Sequence, residues 1–288
     1  MEESVTGLLE GHVSAVIGGT SGIGAAVASL LAEEGAIMVI AGRRQKEGEA
    51  LAGRLGPDAC FVGADVTRES DVAAVVAHAV ERYGRLDSLV NSAGVAGMAG
   101  HVADVELDEL SRMTAVHAGG VLAGIKHAAP VMIGQGSGSI VTVASIGGRL
   151  AGWTGHAYSA SKAAVLHLTR SAAVDLGEHG VRVNSISPGP VRTGVHAEGA
   201  GIDPAVADRT AGALAPAFAA VLQQWQPVRG AATPDDVAPA ALWLVSDASR
   251  FVNGHDLVVD GGISAGRPLS VGLGELPRLG AALMAATT

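Results

Sequence analysis

Short, almost purely apolar segments alternate with longer helical patterns along most of this chain, and this alternation limits the folds that it can adopt. The first two segments are residues 12–17 and 36–41, and a helical pattern over residues 22–34 separates them. Strands that are apolar on both faces are typical of parallel sheets covered by helices on both sides. The pattern therefore predicts an α/β fold with a doubly wound parallel sheet.

The same alternation continues toward the C-terminus, with further apolar segments at residues 59–64, 86–90, 139–143, 181–186 and 257–259. The longest helical pattern is predicted to form one helix over about residues 107–132. Neither a linker nor an internal repeat interrupts this order, so residues 1–265 are interpreted as a single domain. Within it, residues 190–230 form an irregular loop rich in Ala, Gly and Pro. Residues 266–288 follow as a C-terminal extension.

Composition and charge argue against several classes of partner. The formal net charge is −9 at pH 7, which disfavours nucleic acid and anionic membranes as main partners. No apolar run is long enough to span a membrane, and a single cysteine, Cys60, cannot form an intrachain disulfide framework. The ten histidines show none of the spacings of metal sites, so no metal is expected. We expect a cytoplasmic protein.

The first apolar segment is followed by a glycine-rich turn that opens the first helix, Gly18-Gly19-Thr20-Ser21-Gly22-Ile23-Gly24. Glycines let the backbone approach a pyrophosphate closely, and a helix N-terminus favours its negative charge. The spacing differs from the common G-x-G-x-x-G fingerprint, and a tight turn that binds nothing is the alternative interpretation. Because the turn follows the first strand, we predict that it binds a dinucleotide.

The end of the second apolar segment bears on which dinucleotide would bind. Folds that prefer NAD place an acidic residue there for the ribose 2′-hydroxyl, whereas an arginine suits the 2′-phosphate of NADP. This chain has Gly42 followed by Arg43 and Arg44, with no acid at the strand end. A solvated pair at a helix start is the other interpretation. The pattern favours NADP(H), with NAD(H) as the alternative.

Tyr158 and Lys162 are four residues apart, so on a helix they share one face. A tyrosine phenol titrates near pH ~10, and an adjacent positive charge lowers its pKa. Such a pair can move a proton to or from an alcohol oxygen. Taken alone, this spacing more often belongs to two neighbouring surface residues.

The motifs follow one another in an order that resembles the short-chain dehydrogenase/reductase family over about residues 10–265. The glycine turn and the Tyr158–Lys162 pair match two family motifs, and Ser145 lies where the family keeps a serine before the tyrosine. The other matching positions are Asp65, Asn91-Ser92-Ala93-Gly94, Asn184, Ser187-Pro188-Gly189, Thr193, Gly254 and Asp260-Gly261-Gly262.

This resemblance implies a seven-stranded Rossmann fold with its active site at the carboxyl edge of the sheet. Tyr158 is implied to be the acid/base on the substrate oxygen, Ser145 to hold that oxygen, and Lys162 to lower the pKa of Tyr158. The residues implied to contact the cofactor are Gly18, Ser21, Gly22, Ile23, Gly24, Arg43, Arg44, Asp65, Val66, Asn91, Ala93, Gly94, Tyr158, Lys162, Pro188, Gly189, Val191 and Thr193.

Three departures from the family pattern concern this site, and the mildest is Ser92 in place of the second asparagine of an Asn-Asn-Ala-Gly motif. Ile17 stands in place of a threonine whose hydroxyl ties the first strand to the Asn91 segment. His117 stands in place of an asparagine that anchors a water between the active-site lysine and solvent. A histidine can donate and accept through its two ring nitrogens and can titrate near neutrality, which makes His117 a candidate catalytic residue. The alternative is a histidine that holds a local helix bend and carries no protons.

We therefore predict an oxidoreductase that transfers a hydride between NADP(H) and an apolar or cyclic secondary alcohol or ketone. Trp153 and His156 are expected to line the substrate site beside Ser145 and Tyr158, with Phe218 and Trp225 as candidate walls. One alternative is a 3-oxoacyl-thioester reductase that meets an acyl-carrier protein. Another is a catalytically silent dinucleotide sensor or scaffold. The resemblance also implies a homotetramer or dimer, built on the helices after the fourth and fifth strands.

Overall fold

Seven parallel strands form one sheet in the order β3-β2-β1-β4-β5-β6-β7. The computed structural model describes residues 7–97, 99–195, 202, 206–207, 212–213 and 215–286. The strands are β1 (Val13–Ile17), β2 (Ile37–Gly42), β3 (Cys60–Gly63), β4 (Ser88–Asn91), β5 (Gly138–Val143), β6 (Val181–Pro188) and β7 (Asp256–Val259). This architecture confirms the predicted doubly wound α/β fold.

Helices cover both faces of the sheet, which explains why the central strands β1, β4 and β5 are buried along nearly their whole length. They are α1 (Gly22–Glu33), α2 (Gln45–Leu55), α3 (Glu69–Tyr83), α4 (Leu107–Thr114), α5 (Gly120–Gln135), α6 (His156–Gly177), α7 (Ala215–Leu222), α8 (Pro234–Val245) and α9 (Leu269–Ala286). Side chains of α3, α5 and α6 form the core on one face. Those of α1, α2 and α8 form the core on the other.

The chain is helical over the predicted residues 107–132, but this helix is not a regular α-helix throughout. A π-helical turn, Ala115–Gly119, separates α4 from α5, and α5 continues to Gln135. A π-helical turn holds more residues than an α-helical turn and often occurs at functional sites. It contains His117, whose side chain is buried. A π-helical turn shifts the apolar pattern by about one residue, and this small shift is hard to recognise among the Ala and Gly residues of this segment.

Three helices were not predicted. Helix α8 begins with a capping box in which the Thr233 backbone N–H donates to Asp236 Oδ2 at 2.7 Å, and Pro234 occupies its first position. Helix α9 lies in the C-terminal extension. Helix α7 lies within the predicted irregular loop at residues 190–230, and part of that loop lies outside the described residues. Among those described, no helix combines the length and apolarity needed to cross a bilayer.

The central pair of strands contains a buried amide without a hydrogen-bond partner. Ile17 on β1 and Asn91 on β4 are paired in register, and both atoms of the Asn91 amide lack a partner among the described residues. Helix α5 packs closely here, since a Cβ on Gly124 would lie 2.4 Å from Asn91 Oδ1. Ile17 offers no polar atom, which agrees with the expectation that a hydroxyl tie is absent.

Replacing Ile17 with threonine should supply that hydroxyl. Threonine and valine have the same shape, so we expect Ile17→Thr to be at least as stable as Ile17→Val by urea unfolding, because a hydrogen bond to Asn91 contributes about 1 kcal/mol. Val16, on the opposite face of β1, provides the control: Val16→Thr should lose about 1–3 kcal/mol, because its hydroxyl is buried without a partner. If Ile17→Thr were less stable than Ile17→Val by as much as Val16→Thr is less stable than the wild type, the assignment would be contradicted.

Candidate active site

Ser145, Tyr158 and Lys162 meet beyond the carboxyl end of β5. Ser145 follows the last residue of this strand by two positions and precedes a short 3₁₀ turn, where its Oγ accepts from the Gly147 N–H at 3.1 Å. Tyr158 lies in the first turn of α6, and Lys162 follows one turn later. The polar ends of all three residues therefore lie at one edge of the sheet.

Lys162 is buried at this edge and donates from Nζ to the carbonyl oxygen of Val143 at 2.8 Å. Nζ lies 5.8 Å from the centre of the Tyr158 ring. Burial lowers the pKa of Lys162 to about 8, because an ammonium loses hydration in the interior. The side chain is therefore still mostly charged at neutral pH.

The environment of Tyr158 favours its neutral, protonated form. Burial raises the pKa of Tyr158, and a hydrogen bond with Ser145 acts in the opposite direction. The expectation of a lowered Tyr158 pKa is not met, because burial outweighs the hydrogen bond with Ser145. Tyr158 consequently holds its phenolic proton at neutral pH.

His117 lies beside this group. Its Nδ1 is 2.8 Å from Ser161 Oγ, and its Nε2 accepts from the Val95 N–H at 3.1 Å. Burial, followed by the nearby charge of Lys162, lowers the pKa of His117 to about 3. The expectation that His117 titrates near neutrality is therefore wrong. His117 lies in the π-helical turn Ala115–Gly119.

The glycine turn forms a cradle for an anion at the start of α1. Gly18 and Gly22 have φ of +84° and +53°, a region that favours glycine. A Cβ on Gly18 would lie 2.4 Å from the Ala93 backbone nitrogen. Ser21, the N-cap of α1, makes no side-chain capping bond among the described residues, so helix amides face the turn. These features fit the pyrophosphate of a nicotinamide dinucleotide.

The two arginines after β2 differ in their surroundings. Arg44 donates from Nη2 to the Thr20 carbonyl at 3.1 Å and so braces the glycine turn. Arg43 is exposed. Hydrogen bonds from Thr67 lower the pKa of Asp65, and the charge of Arg43 contributes to this lowering. The structure thus places Arg43 and Asp65 on the same side of the cradle.

The structure brings the other predicted cofactor residues to the same edge. Thr193 closes against the glycine turn, since a Cβ on Gly22 would lie 3.3 Å from Thr193 Cγ2. The Gly189 N–H donates to Val259 O, which fixes the start of this segment. The remaining predicted residues lie in the first turn of α1 (Ile23, Gly24), after β3 (Val66), at the end of β4 and just after it (Asn91, Ala93, Gly94), at the end of β6 (Pro188) and after β6 (Val191).

Of the residues predicted to line the substrate site, two aromatic side chains are in contact with each other. Trp153 and Trp225 make an edge-to-face contact with ring centres 5.6 Å apart, and both are partly exposed. His156 is exposed at the start of α6, and Phe218 is half-buried on α7. In the described part of the chain, no three His, Cys, Asp or Glu side chains group closely enough to hold a metal ion.

Sequence reasoning missed several residues that position this site. Ser161 bonds to His117, and its place directly before Lys162 and three residues after Tyr158 could have indicated a role. Arg149 donates to Asp256 at 2.8 Å and braces the loop after Ser145. Val95 and Val143 act through backbone atoms, which no side-chain motif can reveal.

Comparison with known proteins gives the family. A family model described as enoyl-(acyl carrier protein) reductase matches residues 18–264. Momilactone A synthase of Oryza sativa subsp. japonica is 41% identical, with 89% of this chain and 91% of the relative covered. Mitochondrial borneol dehydrogenase of Lavandula x intermedia is 40% identical, covering 92% and 95%. A solved short-chain type dehydrogenase/reductase from Mycobacterium marinum is 30% identical with a TM-score of 0.76, covering 89% and 96%.

These similarities and the fold define an NAD(P)-dependent oxidoreductase. The chain belongs to the short-chain dehydrogenase/reductase family.

Proposed function

We propose that the protein interconverts a secondary alcohol and a ketone with NADP(H), using Tyr158 as the acid/base. The observation that carries this proposal is the convergence of Ser145, Tyr158 and Lys162 in one largely buried group at the carboxyl end of β5. Burying three polar side chains together costs free energy, and the pKa values of Tyr158 and Lys162 are both shifted here. Perturbed groups of this kind cluster at catalytic sites.

The bound nicotinamide dinucleotide would supply the hydride chemistry. In ketone reduction, Tyr158 gives its phenolic proton to the substrate oxygen, which its raised pKa permits because the proton is present at neutral pH. Ser145 donates a hydrogen bond to the same oxygen and positions it. The buried ammonium of Lys162 stabilises the phenolate that remains on Tyr158. In alcohol oxidation these roles reverse.

An apolar, cyclic substrate agrees with the aromatic pair and with the relatives. Trp153 and Trp225 offer partly exposed rings on two different segments near the start of α6. The name of borneol dehydrogenase gives borneol, a cyclic secondary alcohol, as the substrate of that relative. An acyl-carrier-protein substrate is less favoured, because Arg149, a cation in the loop after Ser145, is paired with Asp256.

The end of β2 supports NADP(H) over NAD(H). Arg43 is exposed at this point, beside the glycine turn, and can reach a ribose 2′-phosphate. An acidic side chain in place of Gly42 would be crowded, because a Cβ there would lie 2.9 Å from Thr20 Cγ2. Position 42, where an acidic residue would favour NAD, therefore carries no charge and has little room for a side chain.

Removing the Arg43 side chain should weaken NADPH far more than NADH. A charge-assisted contact to phosphate contributes about 1.5–3 kcal/mol, so Arg43→Ala should raise the Kd of NADPH roughly 10- to 100-fold in fluorescence titrations. Arg54→Ala removes the same charge from an exposed site further along α2 and should leave both Kd values unchanged. A wild-type protein that already binds NADH more tightly would refute this assignment.

Removing the Tyr158 hydroxyl should abolish turnover and leave cofactor binding intact, since only the transferable proton is lost. A general acid/base contributes ~10²–10⁴-fold, so Tyr158→Phe should retain well under a tenth of the rate on a panel of cyclic ketones. The chain has one other tyrosine, Tyr83, whose hydroxyl donates to Asp58 O away from the site. Tyr83→Phe is the matched control and should stay active. Comparable rates in both variants would contradict the proposed role.

We also propose that the protein assembles as a homotetramer or dimer through α5 and α6. Large apolar side chains are exposed on these helices, among them Leu122 and Ile133 on α5 and Val174 on α6. Val174→Glu should therefore shift the mass measured by light scattering toward the monomer at micromolar concentration. Val228→Glu, at a similarly exposed site outside both helices, should not. A monomeric wild-type protein would contradict the proposal.

A further inference from the structure

His117 lies where three parts of the active site meet. Its ring belongs to the π-helical turn Ala115–Gly119 and makes an edge-to-face contact with the ring of Tyr158 on α6. The ring centres are 5.3 Å apart and the angle between the ring planes is 83°. The loop after β4 packs on the same tyrosine, since a Cβ on Gly97 would lie 2.9 Å from Tyr158 Cβ. The imidazole is only 1% exposed. It therefore sits between the loop, the π turn and the first turns of α6.

The hydrogen bonds of His117 determine its tautomer. The Val95 N–H can only donate, so Nε2 of His117 must present its lone pair. Nδ1 then carries the ring proton and donates it to Ser161 Oγ at 2.8 Å. The Ser161 hydroxyl in turn donates to the Tyr158 carbonyl oxygen at 2.8 Å. A single directed chain thus runs from the loop after β4 through the histidine to the backbone of Tyr158.

Both ring nitrogens are occupied by these bonds, which leaves no lone pair for a relay water. Protonation of Nε2 would break the bond from Val95 and place two donors face to face. The charged and titratable groups that face the ring are Lys162 and Tyr158 from α6 and Arg112 from α4, and the two cations oppose a second proton. From the loop after β4, the Val95 N–H bonds to the ring and Gly94 lies against Nε2.

Building on the proposed function, we infer that His117 is a positioning residue. As a neutral Nδ1–H tautomer it joins the loop after β4 to α6 and holds Tyr158 in place, and its side chain does not relay protons. This role differs from that of a side chain that binds a water next to the active-site lysine. It also accounts for the burial of a histidine that contacts Tyr158 through its ring and through Ser161.

Three variants separate the two bonds. An asparagine amide overlays the Nδ1 side of the ring and can keep the Ser161 bond, whereas a glutamine amide reaches the Nε2 side and can keep the Val95 bond. His117→Ala should lower kcat roughly 10- to 100-fold, because a small displacement of a catalytic group is costly. His117→Asn and His117→Gln should each recover part of this loss, with the Kd of NADPH unchanged. An unchanged kcat in His117→Ala would overturn the inference.

The pH dependence separates positioning from proton relay. The pKa of His117 is lowered in the folded protein from 6.5 to about 3, so its contribution to stability is present above pH 6.5 and is lost as the pH falls toward 3. The urea midpoint of the wild type should therefore decrease more steeply than that of His117→Asn over this range. Their acid limbs of kcat between about pH 5 and 7, where histidine titrates, should coincide. An acid limb that disappears in His117→Asn would show a relay and overturn the inference.

Nitrogen NMR of the wild-type protein tests the same point without relying on a folded variant. Among the ten histidines, one ring should keep the Nδ1–H tautomer down to about pH 5, well below the usual range of histidine. A spectrum in which every histidine is protonated at that pH would overturn the inference. If no ketone or alcohol is turned over, the proposed function fails, while the tautomer and the unfolding curves still decide the state of His117.

Discussion

The reversal of strand order between β1 and β4, two parallel neighbours from which the chain continues outward in opposite directions across the sheet, is the constraint on which the rest of the site depends. The loops after these neighbouring strands lead to opposite faces, and a crevice opens between them at the carboxyl edge of the sheet. The backbones of Gly18 and Ala93 touch at this point, where no side chain would fit. The glycine turn lies on one side of the crevice and the Tyr158 group on the other, so the sheet order itself brings cofactor and acid/base together.

Within the crevice, one buried charge is surrounded by neutral groups whose hydrogen bonds are directed. Lys162 donates to the backbone of β5, and His117 is held neutral between Val95 and Ser161. A second positive charge there would oppose the first with little water to screen it. Asn91, close by, keeps its amide without a partner among the described residues. The buried polar groups next to the reacting residues therefore have hydrogen-bond partners, whereas the Asn91 amide at the end of β4 has none among the described residues.

Much of this could be read from the sequence, because it depends on local patterns. Apolar runs gave the strands, and the glycine turn, Ser145, Tyr158 and Lys162 gave the class of chemistry. The capping box of α8 was available in Thr233 and Asp236 and was overlooked. The pKa directions of Tyr158 and His117 could not be predicted, since burial depends on segments far apart in the chain. Compartment, assembly and the roles of the site residues stay predictions.

The π-helical turn between α4 and α5 also fixes a rotational phase. Each residue of an α-helix advances the chain by about 100°, so one residue more or fewer in this turn would rotate all of α5 relative to α4. Gly124 would then turn away from Asn91, and Lys126 would turn away from Glu69, its ion-pair partner on α3. The segment Ala115–Gly119 should therefore accept substitutions far more readily than insertions or deletions. The number of residues in this turn matters for the site because it sets the orientation of α5 relative to α4.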